Sequence, residues 1–427
     1  MHVKKNTRNE RGGFKRATGI LALGVLMVGC EGLLDVDPDP QTVDASSPIG
    51  LTAALVGANA DFTQMFDSYV VWSGLFNDEI VSSGTAPGIH AWDRRDVPAD
   101  HGGGTGRTNS IGGGNYSLIQ RAVAVSDIGQ ERIRNGEFTE IEAPGTGAAE
   151  YARFSMLTGF GKTFIGDFWC STAFGGVGPE LSSQDVYAIA EAEFTEAINA
   201  TGADADTRSA ALVGRARVRL QMGNESGALS DAQQVDPGFE AFVSYSTNSF
   251  AQRNRVHFRI WDFANFSIGP AFRDLTLEDG SPDPRVELVL DPVPAFEPSQ
   301  ALYAPLKVPT ASSPLRYASG DEAQYIIAEI QGGAGAVQII NDIRARHGIS
   351  LTWTPTGGDP NEIRDKVIDE RKRTLFLDGT RQGDVRRYLD KYGLDFFPTS
   401  TPQGFAMGNQ VCLPLPEIER NNNPGLS

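Results

Sequence analysis

Residues 362–388, EIRDKVIDERKRTLFLDGTRQGDVRRY, constrain the fold more than any other stretch of the chain. Ile363, Val367, Ile368 and the Leu375/Phe376 pair recur at helical spacing, while Arg364, Asp365, Asp369, Glu370, Arg371 and Lys372 take the other face. Gly379, directly after Asp378, tolerates the left-handed backbone that closes a helix. The pattern therefore predicts a helix ending near Asp378, a tight turn and the start of a second helix. Such a pair must dock on a core, so the body of the protein is expected to be helical.

The rest of the chain supports that expectation. Helical spacing runs from Ile49 to about Ile80 through a cluster of aromatics, Phe62, Phe66, Tyr69, Trp72 and Phe76, and returns from Tyr116 to Asn135 and from Ala148 to Thr163. Ser182 to Asp185 offers a capping box before Val186, Ile189, Ala190, Phe194, Ala197 and Ile198. The following stretch, Ser209 to Pro237, resembles a tetratricopeptide unit. Gly214 and Ala216 stand where helices approach closely, Gly223 at the turn, Ala228, Leu229 and Ala232 on the second helix, and Asp236-Pro237 as the stop. One unit cannot bury both its faces, so the helices at 148–163, 183–200 and 321–347 are expected to flank it. Between them, 239–314 is rich in Pro, Phe and Ser and poor in helical pattern, an elaborated loop region laid over the helices.

At 427 residues, 40% hydrophobic and 9% aromatic, the chain can bury a large core as one domain. Its formal charge of −17 repels phosphate backbones and argues against a nucleic-acid partner. The N-terminus is the exception: Lys4, Lys5, Arg8, Arg11, Lys15 and Arg16 precede the apolar run Ile20 to Val28, then Gly29-Cys30. Nine apolar residues are too short to span a bilayer of about 30 Å, so residues 1–29 read as a signal peptide. Leu26-Met27-Val28-Gly29-Cys30 resembles the bacterial lipobox, which makes Cys30 the expected site of lipidation. Residues 30–48, with Asp35, Asp37 and Asp39 among prolines, read as a solvated tether, because the Gly and Glu of a calcium loop are missing. Residues 49–427 follow as a single domain.

Two glycine motifs imitate nucleotide sites. GGGTGRTNSIGGG, within the irregular stretch 82–115, has no preceding strand and no G-K-[ST]. Gly159 to Thr163, GFGKT, ends like a phosphate loop, but Met156 occupies the position of its first glycine and a helix precedes it. Both read as structural, and no cofactor is expected. The histidines at 90, 101, 257 and 347 have no metal-ligand spacing, and no G-x-S-x-G elbow is present. Cys170 and Cys412 are the cysteines left after Cys30. In an exported chain they form either a disulfide tying the C-terminal segment to the body or two buried thiols, and the disulfide is the expectation.

Four separated motifs carry a family resemblance. In the C-terminal helix pair these are Glu370, Arg371, Leu375, Gly379, Arg381, Asp384 and Arg387. Upstream come Asp283-Pro284-Arg285, and then Ala336, Ile340, Asn341, Ile343, Arg344, Arg346 and Gly348. The chain closes on Pro414, Pro416-Glu417-Ile418 and Asn423-Pro424. Together with Leu34-Asp35-Val36-Asp37-Pro38 behind Cys30, they resemble the SusD/RagB-like outer-membrane nutrient-binding lipoproteins. The resemblance implies a mainly α fold of tetratricopeptide-like repeats, with helices at about 148–237 and 321–388 and the loop-rich insertion at 239–314. It also implies a lipid-anchored protein at the cell surface that captures an oligosaccharide or other nutrient for a SusC-like TonB-dependent transporter, without catalysis. The charged residues of the C-terminal pair are expected to form an internal salt-bridge lattice.

Sugars present apolar C–H faces to flat rings and hydroxyls to polar side chains. Trp72, Trp92, Trp261 and Phe266, with Asn265, lie in or beside loop-rich segments and are the expected binding platform. Two other classes compete: a helical-repeat scaffold for envelope proteins, and a surface glycoside hydrolase using two of the 54 carboxylates.

Overall fold

A computed structural model describes residues 50–101, 115–138 and 147–426, which belong to one compact unit. The signal peptide, the tether and Cys30 lie outside the described residues. Helix α1, Leu51–Phe76, is buried on every side from Met65 onward, so its aromatics are core. Strand β1, Ile80–Ser82, and the short helix α2, Pro87–Asp93, follow, then α3, Asn115–Arg134.

Helix α4, Ala148–Phe168, continues five residues beyond the expected stop at Thr163. Phe164, Ile165 and Phe168 are fully buried, and their packing overrides the three glycines within the helix. Trp169 ends it, and after the β2–β3 hairpin, Ser171–Thr172 with Leu181–Ser182, comes α5, Ser183–Asn199, opened by the Ser182/Asp185 capping box. Helix α6, Ala205–Gln221, starts on the Asp204 carboxylate, and α7, Glu225–Ala232, on the Asn224 side chain. Phe194 of α5 is the knob of this repeat: a Cβ would lie 2.7 Å from its ring at Gly159 of α4 and 2.3 Å at Gly214 of α6. The nucleotide-like GFGKT is thus a helix-packing motif, and its Lys162 is paired with Glu193 at 2.7 Å and Asp127 at 3.3 Å.

The insertion is pinned at two places by two-stranded antiparallel pairs. Strand β4, Glu240–Val243, pairs with β8, Leu315–Ser319, closing the insertion at its base. Strand β5, Phe266–Ile268, pairs with β1 and staples the insertion to the end of α1. Between them β6, Leu288–Leu290, pairs with β7, Tyr303–Pro305.

Four helices complete the body: α8, Gly320–Gln331; α9, Gly333–Arg346; α10, Glu362–Thr374; and α11, Arg381–Tyr392. Helix α10 ends at Thr374, short of the expected Asp378. Leu375, Phe376 and Leu377 instead turn into the core, with Leu377 at φ 59° and its N–H donated to the buried Glu79 carboxyl at 2.8 Å.

Glu370 and Arg371, read from spacing as an outer face, are fully buried. The family motifs meet here. Glu370 bonds Arg344 and Arg285, and Arg285 bonds Asp283 at 2.6 Å. Arg371 and Arg387 both hold Asp384, at 2.7 and 2.8 Å. Burial alone would raise Asp384, but those two guanidinium groups overrule it and hold the carboxyl at about 2. Arg381 reaches Asp78 at 2.6 Å, tying this lattice to the end of α1. Cys170 and Cys412 are joined, Cα atoms 5.2 Å apart, beside reciprocal backbone bonds that link Phe168, Cys170 and Leu413. A final short helix, Glu417–Asn422, follows.

Candidate ligand surface

The loop-rich insertion contains one irregular turn with chemical consequences. The Asn254 side chain accepts from the N–H groups of Val256 and His257, starting a helical turn that widens into a π-turn at Phe258–Asp262. Its closing bond runs from Phe263 N–H to Phe258 O at 2.8 Å. An i to i+5 bond brings the two ends of the turn toward one face, where an α-turn would rotate them apart. Phe258 and Phe263 accordingly stack, with centroids 5.8 Å apart and planes 9° apart.

The stack extends both ways. Phe250 lies 4.9 Å from Phe258, edge on, and Phe296 lies 5.3 Å from Phe263. Phe250 is 53% and Phe296 49% exposed, with the middle pair half-buried. Backbone bonds from Phe296 N–H to Ala264 O and from Glu297 N–H to Ser83 O hold the far end. Ala264 has φ 50°, a left-handed conformation uncommon for a residue with a Cβ, so the turn stores some strain. Polar groups border the ridge: Arg255 lies over Phe250 at 4.7 Å, Arg253 is 3.9 Å from Asp262, and His257 is 3.3 Å from the same carboxylate.

Four of the five residues expected from sequence to form the platform are buried instead. Trp92 and Phe266 are fully buried, Trp72 is 4% exposed, and Asn265 is buried. Trp72 packs 4.9 Å from Trp92 and 5.7 Å from Phe266, which leaves no ring face open to a sugar. The reason is local: α1 is buried on all sides here, and the β1–β5 pair places Phe266 against Trp72. Of the five, only Trp261 stays partly exposed, stacked on His257 with planes 15° apart. The rings that do reach the surface were signalled in sequence only by the Phe-rich composition of the insertion.

Two surface cavities lie elsewhere. One, about 420 Å³, is bordered by Ser183, Tyr187, Gln221, Arg386 and Lys391; the other, about 290 Å³, by Ile368, Lys372, Arg381 and Phe396. Their cations are engaged: Arg386 donates to the carbonyls of Gly166 and Asp167, Lys391 pairs with Glu225, and Arg381 with Asp78. Neither presents stacked exposed rings. Among the described residues no group of three or more His, Cys, Asp or Glu is placed to hold a metal ion.

Residues 317–427 match the SusD family. No match is found among curated proteins. Among solved structures, a SusD superfamily protein from Bacteroides vulgatus superposes with a TM-score of 0.65 at 13% identity, covering 88% of this chain and 97% of the other. A surface glycan-binding protein A from Bacteroides uniformis gives 0.65 at 14% identity over 88% and 98%. A laminarin-binding SusD-like protein gives 0.61 at 14% identity over 87% and 97%. In the fold of nearly nine-tenths of its length, and in the sequence signature of residues 317–427, this chain is SusD/RagB-like.

Proposed function

We propose that this protein binds an oligosaccharide on the Phe250–Phe258–Phe263–Phe296 ridge and passes it to a SusC-like TonB-dependent transporter. In this reading it is a non-catalytic lipoprotein of the outer membrane, anchored through Cys30. The ridge carries the proposal: four rings in consecutive contact, at centroid distances of 4.9, 5.8 and 5.3 Å, include two that are about half exposed. Stacking such rings on C–H faces contributes without fixing hydroxyl geometry, and the bordering Asp262, Arg253 and Arg255 supply hydrogen bonds. Two structural neighbours, a surface glycan-binding protein and a laminarin-binding protein, favour the same reading.

The test is glycan-array and calorimetric binding of the purified full chain in detergent. Phe258→Ala and Phe263→Ala should each weaken binding on the order of tenfold, as expected for removal of a buried aromatic contact. Trp92→Ala should reduce thermal stability more than affinity. Glycan binding unaltered in both Phe variants would remove the ridge from the site.

A further inference from the structure

Arg259 is an anomaly in an acidic protein. It sits in the π-turn, immediately behind the ridge, and is only 8% exposed. Its guanidinium is boxed by rings, 5.7 Å from Trp72, 5.8 Å from Phe258 and 5.4 Å from Phe266. The buried arginines of the C-terminal lattice each face a carboxylate. Among the described residues none pairs with Arg259. The Asn265 amide, oriented with its oxygen toward the guanidinium, accepts from Nη1 at 3.3 Å. Burying an uncompensated charge is costly, and ring quadrupoles repay only part of that cost. Burial, helped by nearby Arg255, lowers Arg259 to about 10, so it remains charged at neutral pH.

The surroundings repeat the sign. Arg253, Arg255 and Arg259 lie within seven residues of one another against Asp262, with Glu297 next to Phe296 at the far end. Asp67 accepts the Arg255 N–H at 2.9 Å but does not neutralise this face at pH 7, because burial raises its carboxyl to about 8. A locally cationic aromatic ridge on a chain of formal charge −17 selects for an anion.

Resting on the glycan reading above, we propose that the ligand is an anionic saccharide, bearing carboxylate or sulfate, and that Arg259 is the residue that reads its charge. The rings stack on the sugar faces, and the acid group supplies the counter-charge that the fold withholds from Arg259.

Calorimetry on the full chain should compare length-matched oligogalacturonate, a sulfated galactan oligosaccharide and neutral laminari-oligosaccharide. At least one anionic probe should bind on the order of tenfold or more tightly than the neutral one, a gap that shrinks with added salt. The better of the two identifies carboxylate or sulfate. Arg259→Gln should weaken the better anionic probe on the order of tenfold more than the neutral one, closing the gap, and Arg259→Lys should restore part of it. Equal affinity for all probes in the wild type, or a gap that survives Arg259→Gln, overturns the proposal. If Arg259→Gln does not fold, Arg259→Met, an unbranched apolar side chain suited to the same ring-lined space, decides: loss of the gap supports the proposal, and an unchanged gap overturns it. If Phe258→Ala and Phe263→Ala leave all binding intact, the ridge itself is wrong. If they abolish binding while charge makes no difference, only this inference falls.

Discussion

Phe194 shows how single residues set the repeat. Its ring lies between two glycines, and a methyl at Gly214 would come within 2.3 Å of it. Alanine is the better helix former by about 1 kcal/mol, whereas overpacking a core position costs about 1–3 kcal/mol. The clash should win, so Gly214→Ala should lower thermal stability. Gly57, in α1, has nothing within 4 Å of its missing Cβ, and Gly57→Ala should stabilise. Urea or thermal melts of both variants check this, and a gain at Gly214 would disprove the close approach. The glycine at 214 was legible in the sequence because close-packed helix pairs need small residues at a fixed place in the unit. The burial of Glu370 and Arg371 was not legible from helical spacing, which does not show whether a charged face meets water or another charged face; the expectation of an internal salt-bridge lattice came from their place beside tetratricopeptide-like helices, and it holds.

At the scale of elements, the α10–α11 turn explains what the sequence could and could not reveal. Gly379 marked the turn correctly, yet the helix stops at Thr374, because Leu377 turns inward to reach Glu79, a residue 298 positions away. No local pattern contains that partner. The π-turn at Phe258–Asp262 is another such case: one extra residue in the turn decides which aromatics face outward, and composition alone does not place it. Glu79 also makes the α10–α11 turn sensitive to pH. Burial, opposed by the Leu377 N–H, raises its carboxyl from 4.5 to about 8. The folded state therefore holds a proton that the unfolded state releases, so this contribution to stability is complete below about 4.5 and is lost as pH rises to about 8. Glu79→Gln keeps an oxygen acceptor for Leu377 and cannot titrate. Relative to that variant, the wild type should lose melting temperature steadily between pH 5 and 8 and then level off. Parallel curves would show that Glu79 is ionised in the folded protein.

For the whole molecule, the distribution of constraints follows the proposed work. The C-terminal helices are locked by the Glu370 and Asp384 networks, and the segment after them is fastened to α4 through Cys170 and Cys412. The insertion joins the Glu370 network through Arg285 and Asp283, is held elsewhere by short strand pairs, and carries the exposed rings. A cross-braced helical body that presents exposed rings on one face fits the proposed role of holding a partner on one side and capturing cargo on the other. The proposed delivery to a transporter would hold the body at the membrane; no helix among the described residues is long and apolar enough to cross one. The proposed anchor is lipid on Cys30, where each buried methylene adds about 0.8 kcal/mol and two or more chains are needed for stable attachment. In a bacterial host that processes lipoproteins, Cys30→Ser should shift the protein from the membrane pellet to the soluble fraction and end incorporation of labelled palmitate. Its melting temperature should stay unchanged, because Cys30 lies before the compact unit that begins at Ile49. Membrane association that persists in Cys30→Ser at high salt would mean that the protein is held by something other than lipid, and a permanently bound transporter would then be the first candidate to isolate.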